Sequence, residues 1–325
     1  MKIGFAGFRH DHIYVLYEQA KLHQDYEIVA TCEEDIETRE RAVQKGVALS
    51  HAIYEEFLQN KEIEVVAIGA CYGERGRMAI EALKAGKHVI CDKPLCTTIE
   101  ELDEIEHLAK EKGLFVSCMY TMRFERKIAA VKKLIDSGKL GKVHNVYFGG
   151  QHPLQYGRRP SWYFEKGKHG GVINDIAIHG MDLLSYLCEF ELDKINAARC
   201  WNAYAIEEKA FKDSAQLMLT GKSGVGVIAD VSYAIPDGVE FALPYYWQFY
   251  LWAEKGALSF AINGDTLFYE KGKTEGKKIE DLPTVDYLTD FLALVNGEKD
   301  VILPMEEVFK STRLTLLTQR VADQA

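Results

Sequence analysis

The sequence predicts an α/β protein in which an N-terminal doubly wound parallel sheet is followed by a C-terminal α+β domain with a large, mostly antiparallel open sheet. In the first third of the chain, short β-branched or apolar runs alternate with amphipathic segments of helical length, a pattern typical of βαβ units. After about residue 120, successive strand-like segments joined by glycine-containing turns indicate antiparallel pairing. We therefore expect two domains, residues 1–120 and 121–325.

The elements of the first domain follow from these patterns. The predicted strands are "KIGFA", "YEIVATC", "EVVAIGA", "HVIC" and "LFVSCM", and the predicted helices are "HIYVLYEQAKL", "DIETRERAVQKG", "GERGRMAIEALKAG" and "TIEELDEIEHLAKEKG". Gly46, Gly86 and Gly113 fall just past three of these helices, where a left-handed residue ends the last turn. Thr97 and Thr98 precede an acidic first turn, as N-cap residues do.

In the second domain, two helices and a series of strands are predicted. The helix "RKIAAVKKLIDSGKLG" leads to the strand "KVHNVYFGGQH", and the helix "VINDIAIHGMDLLSYL" precedes the strands "INAARCWNAYA", "SAQLMLTG", "GVGVIADVSYA", "YYWQFYLWAE" and "GALSFAIN". The helices "VDYLTDFLALVNG" and "MEEVFKSTRLTLLTQRVADQ" close the chain.

One of these strands predicts self-association. The segment "YYWQFYLWAE" is apolar at nearly every position, so both of its faces are expected to be covered. Helices can cover one face, and a second subunit across a two-fold axis can cover the other. We therefore expect a homo-oligomer, a dimer or a tetramer, that forms through the C-terminal sheet. The alternative is a sheet buried wholly within its own domain.

Composition excludes several classes of partner. A formal net charge of −10 and an isoelectric point near 5.6 give no general attraction to nucleic acid or to anionic lipid, so neither is an expected partner. No apolar run reaches the roughly eighteen residues of a membrane-spanning helix, and the first apolar run follows Met1 directly, so we expect a cytoplasmic protein. The seven cysteines include no CxxC pair and are expected to be reduced.

The turn after the first strand keeps one of the three glycines of a dinucleotide-binding turn. In such a turn, one glycine permits the tight bend, a second lets the backbone approach the pyrophosphate, and a third lets helix and strand pack closely. With Gly7 at the first place, Arg9 stands at the second and His12 at the third. An arginine can itself reach a phosphate, and N–H groups at the start of the next helix would still face an anion. We predict that Gly7, Phe8, Arg9 and His12 contact a dinucleotide.

Glu33 is the expected partner of the adenosine ribose. It follows the second strand in "ATCEED", about where an acidic residue accepts hydrogen bonds from the ribose hydroxyls. A carboxylate there disfavours the 2′-phosphate of NADP, so NAD is the expected cofactor. The alternative is that Glu33 is a solvated carboxylate that opens the next helix.

Three further residues carry the predicted chemistry. Lys93 lies at the carboxyl end of the fourth strand, where ligands of open α/β sheets bind, and a lysine there can donate a hydrogen bond or a proton. Asp175 and His179 are four residues apart on a predicted helix and so share one face. A histidine can accept a hydroxyl proton as hydride leaves the same carbon, and the aspartate can hold a neighbouring hydroxyl. The alternatives are a surface lysine, a helix-capping aspartate and a core histidine.

The loop "QHPLQYGRRPSWYFEKGKHGG" precedes this helix and is both polar and aromatic. Loops on the edge of a scaffold often determine specificity. Trp162 or Tyr163 could stack on a sugar ring, and His152, Arg158 or Arg159 could contact hydroxyls, a carboxylate or a phosphate. Equally, the aromatic side chains could only anchor the loop.

Two motifs resemble one known family. The segment "AGKHVICDKPL" is similar to the "AGKHVxxEKP" segment of the Gfo/Idh/MocA oxidoreductases, the glucose-fructose oxidoreductase and inositol dehydrogenase family, with Asp92 in place of the usual glutamate. The segment "HGGVINDIAIHGMDLL" resembles the second family signature, in which Asp175, His179 and Asp182 are the matching positions. "MRF" resembles the arginine-containing segment that opens the second domain, and "GKLGKV" the turn before its first strand. The resemblance covers essentially the whole chain.

The resemblance implies a Rossmann domain and a dehydrogenase that moves hydride between a nicotinamide and a secondary alcohol of a polyol, sugar or sugar acid. It implies that Lys93, Asp175 and His179 converge on this carbohydrate-like substrate beside the nicotinamide ring. With the interpretation of the loop, it adds Arg123, His152 and Trp162 as expected substrate contacts. Lys93 and Pro94 are also expected cofactor contacts.

The sequence departs from the family pattern in the cofactor half. Two glycines of the turn are missing, and "IGACYGERGRM" lacks the usual Thr-Pro dipeptide, with Arg75 where the family has a histidine. One alternative is therefore a non-catalytic sugar-binding or regulatory protein with a degenerate nucleotide site. A third interpretation takes His10 and His12 as metal ligands in a hydrolase. We expect no metal, because no later strand end provides a matching set of carboxylate and histidine ligands.

Overall fold

The structure is a computed structural model that describes residues 1–239 and 246–324. The chain folds into two compact units. The first unit comprises Met1–Met119 and Asp286–Phe309, and the second unit comprises Tyr120–Val285 and Lys310–Ala325. Within the described residues, no helix has both the length and the apolar composition needed to cross a membrane.

The first unit is built on a five-stranded parallel sheet. Its strands are β1 (Lys2–Ala6), β2 (Glu27–Cys32), β3 (Val65–Ile68), β4 (His88–Cys91) and β5 (Val116–Cys118), in the spatial order β2-β1-β3-β4-β5. Every residue of β3 is buried, as expected for a strand that is covered on both faces. Strand order reverses between β1 and β3, and the carboxyl ends of strands at such a reversal form a ligand-binding crevice.

Five helices connect these strands. They are α1 (His12–Leu22), α2 (Ile36–Gln44), α3 (Tyr54–Leu58), α4 (Tyr72–Lys84) and α5 (Ile99–Lys112). Thr98 is the N-cap of α5, because its hydroxyl accepts a hydrogen bond from the Glu101 N–H at 3.1 Å while the Glu101 carboxylate accepts from the Thr98 N–H at 3.2 Å. The predicted left-handed glycines are confirmed, with φ of +84° at Gly46, +77° at Gly86 and +63° at Gly113. Helix α3 has no counterpart in the prediction, because five residues are too few to show helical periodicity.

The second unit contains an eight-stranded open sheet, which helix α6 (Arg126–Asp136) precedes in the chain. The strands are β6 (Val143–Pro153), β7 (Leu192–Trp201), β8 (Ser214–Gly221), β9 (Gly226–Ile235), β10 (Gln248–Ala253), β11 (Gly256–Ala261), β12 (Leu267–Glu270) and β13 (Lys277–Lys278). Their spatial order is β13-β12-β11-β10-β6-β9-β8-β7. The central β6–β9 pair is parallel and the other described pairs are antiparallel, so the predicted fold class is confirmed. The short strands β12 and β13 have no counterpart in the prediction.

The helix that follows the aromatic loop begins with a π-helical turn. This turn spans Ile173–Ala177, and α7 (Ile178–Cys188) continues from it. The side-chain oxygen of Gln319 accepts hydrogen bonds from the N–H groups of Ile173 at 2.9 Å and Asn174 at 3.3 Å, and so binds donors at the start of the turn. The prediction of one regular α-helix was therefore wrong over the first turn. Such π-helical turns occur frequently at functional sites.

One face of the large sheet remains open. In β10, Phe249 and Leu251 are buried, whereas Tyr250 and Trp252 are 39% and 47% exposed. The alternative of a sheet buried wholly within its own domain was therefore wrong, and coverage of the open face by a second subunit remains a prediction. Tyr245, the first residue of that segment, lies outside the described residues.

Part of the C-terminal region belongs to the first unit. Two helices end the chain, α8 (Tyr287–Val295) and α9 (Met305–Asp323). The Tyr287 hydroxyl donates to Ser117 Oγ at 2.7 Å, and the Tyr26 hydroxyl donates to the Leu288 carbonyl at 2.9 Å. Because of such contacts, Asp286–Phe309 lies in the first unit, and the prediction of one second domain over residues 121–325 was wrong for this segment.

Candidate active site

Gly7 is required by the backbone of the turn after β1. Its φ is +79°, a conformation that L side chains rarely adopt. A Cβ atom at this position would lie 2.6 Å from the backbone nitrogen of Ala70, which follows β3. The one glycine that the turn retains is therefore the one that allows the chain to pass close to its neighbour.

An acidic cavity of about 260 Å³ lies beside Gly7. Arg9 lines it together with four carboxylate side chains, which belong to Glu33, Glu34, Asp35 and Glu74. The cavity lies at the carboxyl ends of β1, β2 and β3, next to the strand-order reversal. Open α/β sheets bind their ligands at such a position.

Glu33 is buried, not solvated. It is 3% exposed, and its carboxylate accepts hydrogen bonds from the N–H groups of Phe8 at 2.5 Å and Asp35 at 2.9 Å. Burial raises the pKa of Glu33, although these two hydrogen bonds oppose that rise. The interpretation of Glu33 as a solvated residue that opens a helix was therefore wrong. Asp35 is the N-cap of α2, where its side chain accepts from the Thr38 N–H at 2.8 Å.

Arg9 provides the positive charge in the wall of the cavity. Its Nη1 lies 2.6 Å from Asp35 Oδ1 and donates to Thr38 Oγ1 at 3.1 Å. Asp35 and Thr38, at the start of α2, therefore hold the guanidinium group of Arg9 in position. A phosphate contact by Arg9 remains a prediction.

His10 and His12 both contact the carboxylate of Asp92, at the end of β4. The distances are 2.6 Å from His10 Nδ1 to Asp92 Oδ2 and 3.1 Å from His12 Nδ1 to Asp92 Oδ1. Among the described residues, these three form the group of potential metal ligands whose donor atoms lie within 4.8 Å of one another. The expectation that no later strand end matches these histidines overlooked Asp92, because a contact between the turn after β1 and the loop after β4 is not visible in the sequence.

The geometry of this group is that of a hydrogen-bonded cluster. Arg75 Nη2 donates to Asp92 Oδ2 at 2.9 Å, so the carboxylate is already paired with a buried cation. Burial alone would raise the pKa of Asp92, but Arg75 and the two histidines hold it well below its usual value. Burial lowers the pKa of His10 to about 4, so its ring is neutral at neutral pH. Since Asp92 is ionised and can only accept, both imidazoles donate to it from Nδ1.

Lys93 and Pro94 follow in the same loop. Lys93 is 3% exposed, and its ammonium lies 6.0 Å from the centre of the Tyr72 ring. The alternative of a surface lysine was therefore wrong. A buried lysine near the carboxyl end of a parallel strand is suited to donate a hydrogen bond to a ligand.

In the second unit, Asp175 belongs to a buried polar network. The Tyr233 hydroxyl donates to Asp175 Oδ2, and His169 Nε2 lies 2.9 Å from the Tyr233 hydroxyl and 3.5 Å from the same carboxylate oxygen. Burial raises the pKa of Tyr233 well above its usual value, so the phenol remains a donor. The sequence analysis missed both His169 and Tyr233. His169 directly precedes the glycine pair of the second signature, but no local pattern marks Tyr233 within its strand.

His179 and His152 contact the same indole ring. The Trp247 ring is 5.3 Å from the His179 ring and 5.5 Å from the His152 ring, edge to face in both cases. Trp247 is buried, and it packs so closely on Gly150 that a Cβ there would lie 2.3 Å from the indole. The indole therefore fixes the positions of two predicted site residues, and no local sequence pattern identified it.

The aromatic residues of the loop anchor it. Trp162 and Tyr163 are buried and pack against each other, with ring centres 4.4 Å apart and ring planes tilted by 41°. Arg159 donates to the carbonyls of Leu154 at 2.9 Å and Pro153 at 3.1 Å, within the loop itself. The burial of the two aromatic side chains agrees with the anchoring alternative, and a substrate contact by Trp162 remains a prediction. Arg158 is exposed.

Arg123 is also engaged within its own unit. Its guanidinium forms a two-pronged ion pair with Asp182, with Nε donating at 2.8 Å and Nη2 at 2.7 Å, and both side chains are fully buried. Ser311 donates to the same carboxylate at 2.9 Å. A substrate contact by Arg123 remains a prediction.

Two family models match this chain and identify its class as a dinucleotide-binding α/β oxidoreductase. Residues 2–120 match the model of an oxidoreductase family with an NAD-binding Rossmann fold, and residues 128–259 match the GFO/IDH/MocA C-terminal domain. The chain therefore belongs to the Gfo/Idh/MocA family, and the resemblance noted in the sequence is confirmed. Its first domain is the NAD-binding domain of that family.

Relatives of this family include named dehydrogenases. The chain is 31% identical over 163 residues to levoglucosan dehydrogenase of Pseudarthrobacter phenanthrenivorans, across 49% of this chain and 41% of that protein. It is 25% identical over 202 residues to myo-inositol 2-dehydrogenase of Thermotoga maritima, across 61% of this chain and 58% of that protein. The matched regions span about half of the length of these relatives.

Solved structures show the same fold. A levoglucosan dehydrogenase in complex with NADH matches with a TM-score of 0.81 at 18% identity, over 100% of this chain and 97% of that chain. An NAD binding oxidoreductase from Klebsiella pneumoniae matches with a TM-score of 0.81 at 17% identity, over the same shares.

Proposed function

We propose that this protein is an NAD-dependent dehydrogenase that acts on a secondary alcohol of a sugar, polyol or sugar acid. The observation that carries the proposal is the burial of the three signature side chains. Lys93, Asp175 and His179 are almost completely removed from solvent, and each is held by defined neighbours. Buried titratable side chains are costly and concentrate at functional sites.

Each signature residue has one role in this proposal. When NAD is bound, its nicotinamide ring would be the hydride acceptor. His179 accepts the proton of the substrate hydroxyl, and Lys93 donates a hydrogen bond to the same oxygen. Asp175 orients a neighbouring hydroxyl of the substrate. Tyr233 and His169 hold the Asp175 carboxylate in place from within the second unit.

The acidic cavity supports NAD over NADP. Glu33 would accept hydrogen bonds from the adenosine ribose, and Arg9 would face the pyrophosphate. The four carboxylates that line the cavity would repel a 2′-phosphate, which carries further negative charge.

The substrate class follows from the relatives together with the polar character of the site. Levoglucosan and inositol dehydrogenases are named for cyclic compounds that carry several hydroxyl groups. Lys93 of the first unit, and Asp175 and His179 of the second, offer donors and acceptors suited to such a compound. We therefore infer a carbohydrate-like substrate.

Turnover by a histidine variant tests the proposal. The purified protein is mixed with NAD and a panel of sugars, polyols and sugar acids, and the absorbance of the reduced nicotinamide is followed. We expect at least one compound to react, and His179→Asn to lose about 100-fold or more in kcat because general-base catalysis is removed. His107→Asn is the matched control, since His107 is an exposed histidine on α5. Tight sugar binding without any nicotinamide binding would support the non-catalytic alternative instead.

The open face of the large sheet supports self-association. Met218, Ile228, Tyr147 and Tyr250 occupy registered positions on four neighbouring strands, β8, β9, β6 and β10, so their side chains form one continuous row. All four are partly or largely exposed. We propose that a second copy of this chain covers this row. Light scattering of the wild type and of Ile228→Lys tests it, with a dimer or tetramer expected only for the wild type.

A further inference from the structure

Three departures of this sequence from the family pattern, at His12, Arg75 and Asp92, lie together. His10 and His12 stand in the altered turn, Arg75 replaces a family histidine, and Asp92 replaces a family glutamate. In the structure, the side chains of His10, His12 and Arg75 all donate hydrogen bonds to the Asp92 carboxylate. The substitutions at these three positions, together with His10, therefore form one interacting set.

Asp92 and Arg75 match each other in length. An aspartate withdraws the carboxylate by one methylene relative to a glutamate, and an arginine reaches farther than a histidine. Both side chains are fully buried, and Arg75 Nη2 lies 2.9 Å from Asp92 Oδ2. Because a buried arginine is stable only when its charge is paired, the two substitutions depend on each other.

Arg75 also binds the backbone on both sides of Lys93. Its Nη1 donates to the Asp92 carbonyl at 3.0 Å, to the Pro94 carbonyl at 3.4 Å and to the Lys93 carbonyl. Its Nε donates to the Ala70 carbonyl at 2.9 Å, at the end of β3. One guanidinium therefore fastens the loop after β4 to the loop after β3. The planar fork of arginine can satisfy these acceptors together, whereas the ammonium of a lysine cannot.

We propose that Arg75 is the positioning residue for Lys93. By holding three successive carbonyls and the Asp92 side chain, it sets the backbone from which the Lys93 side chain extends. This inference rests on the proposed function for the role of Lys93 in catalysis. The anchoring of the loop itself is independent of that function.

The test compares Arg75→Lys with Arg77→Lys, a control at an exposed arginine on the same helix. Arg75→Lys retains the positive charge, so Asp92 is not left without a cation. Hydrogen exchange followed by mass spectrometry reports on the amides of Lys93, Leu95 and Cys96, and steady-state kinetics report kcat and KM. We expect about tenfold faster exchange in this loop alone, with about 100-fold lower kcat and a KM for NAD within twofold of the wild type. Arg77→Lys should change neither quantity.

Two outcomes would overturn the inference. The first is unchanged exchange and unchanged kcat in Arg75→Lys. The second is faster exchange throughout the first unit, which would mean that Arg75 only stabilises the fold.

If Arg75→Lys does not fold, the paired variant Arg75→His with Asp92→Glu provides the test. It should keep slow exchange in the loop and recover kcat relative to Arg75→His alone, and failure to do so contradicts the inference. If the wild type shows no turnover, the proposed function fails, and the exchange measurement still decides whether Arg75 holds the loop.

Discussion

Replacement of Arg123 by methionine distinguishes a structural ion pair from a substrate contact. The guanidinium and the Asp182 carboxylate are both fully buried and share two hydrogen bonds. The Ser311 hydroxyl donates to the same carboxylate, and the guanidinium lies 4.7 Å from the centre of the Tyr186 ring. Methionine has a similar length but no charge, so Arg123→Met leaves a buried carboxylate without its cation.

The expected loss of stability follows from that burial. Removal of one partner from a buried ion pair costs about 3–5 kcal/mol, because the remaining charge has no compensation. For a domain of this size, this corresponds to a decrease of about 10 °C in Tm. The double variant Arg123→Met with Asp182→Leu should be more stable than Arg123→Met, since no charge is then left buried.

Urea unfolding followed by circular dichroism measures these differences. Arg158→Met, at an exposed arginine of the same unit, is the matched control and should unfold like the wild type. The reasoning is refuted if Arg123→Met loses less than about 1 kcal/mol while substrate affinity falls, because Arg123 would then act on substrate and not on the fold.

Two further predictions concern the first unit. Burial lowers the pKa of His10 to about 4 from 6.5 in the unfolded chain, so the unfolded state binds its proton first as the pH falls. The free energy of unfolding should therefore decrease as the pH falls from 6.5 to about 4, by about 3 kcal/mol at most. The decrease should be smaller in His10→Gln. Urea unfolding of both proteins across this pH range measures the difference. Glu33→Ala should weaken NADH binding about tenfold, because a charged acceptor for the ribose hydroxyls is lost, and should reduce the preference over NADPH. Titrations of nicotinamide fluorescence with both cofactors check this, and an unchanged affinity for NADH would contradict it.

The local features of the fold could be predicted from the sequence. Alternating apolar runs and amphipathic segments predicted the parallel sheet, since each βαβ unit is encoded within a few tens of residues. The N-cap at Thr98 and the left-handed Gly113 depend only on neighbours within one helical turn. The burial of Lys93 and His179 agrees with the motifs that identified them.

Features that depend on distant residues could not be predicted. The π-helical turn is bound by Gln319, more than a hundred residues away in the chain. The return of Asp286–Phe309 to the first unit depends on hydrogen bonds to Ser117 and from Tyr26. In the same way, the partners of Asp92 include His10 in the turn after β1 and Arg75 on α4, and sequence periodicity carries no information about such contacts.

Transfer of deuterium tests the central claim most directly. The protein is incubated with NAD and sugars or polyols that carry deuterium on carbon, and the reduced cofactor is analysed by mass spectrometry. We predict that one deuterium appears in the reduced nicotinamide with at least one compound, and that His179→Asn transfers about 100-fold more slowly. Deuterium transfer at the wild-type rate in His179→Asn, or NADH binding without transfer from any compound, would contradict the assignment of this protein as a dehydrogenase that uses His179.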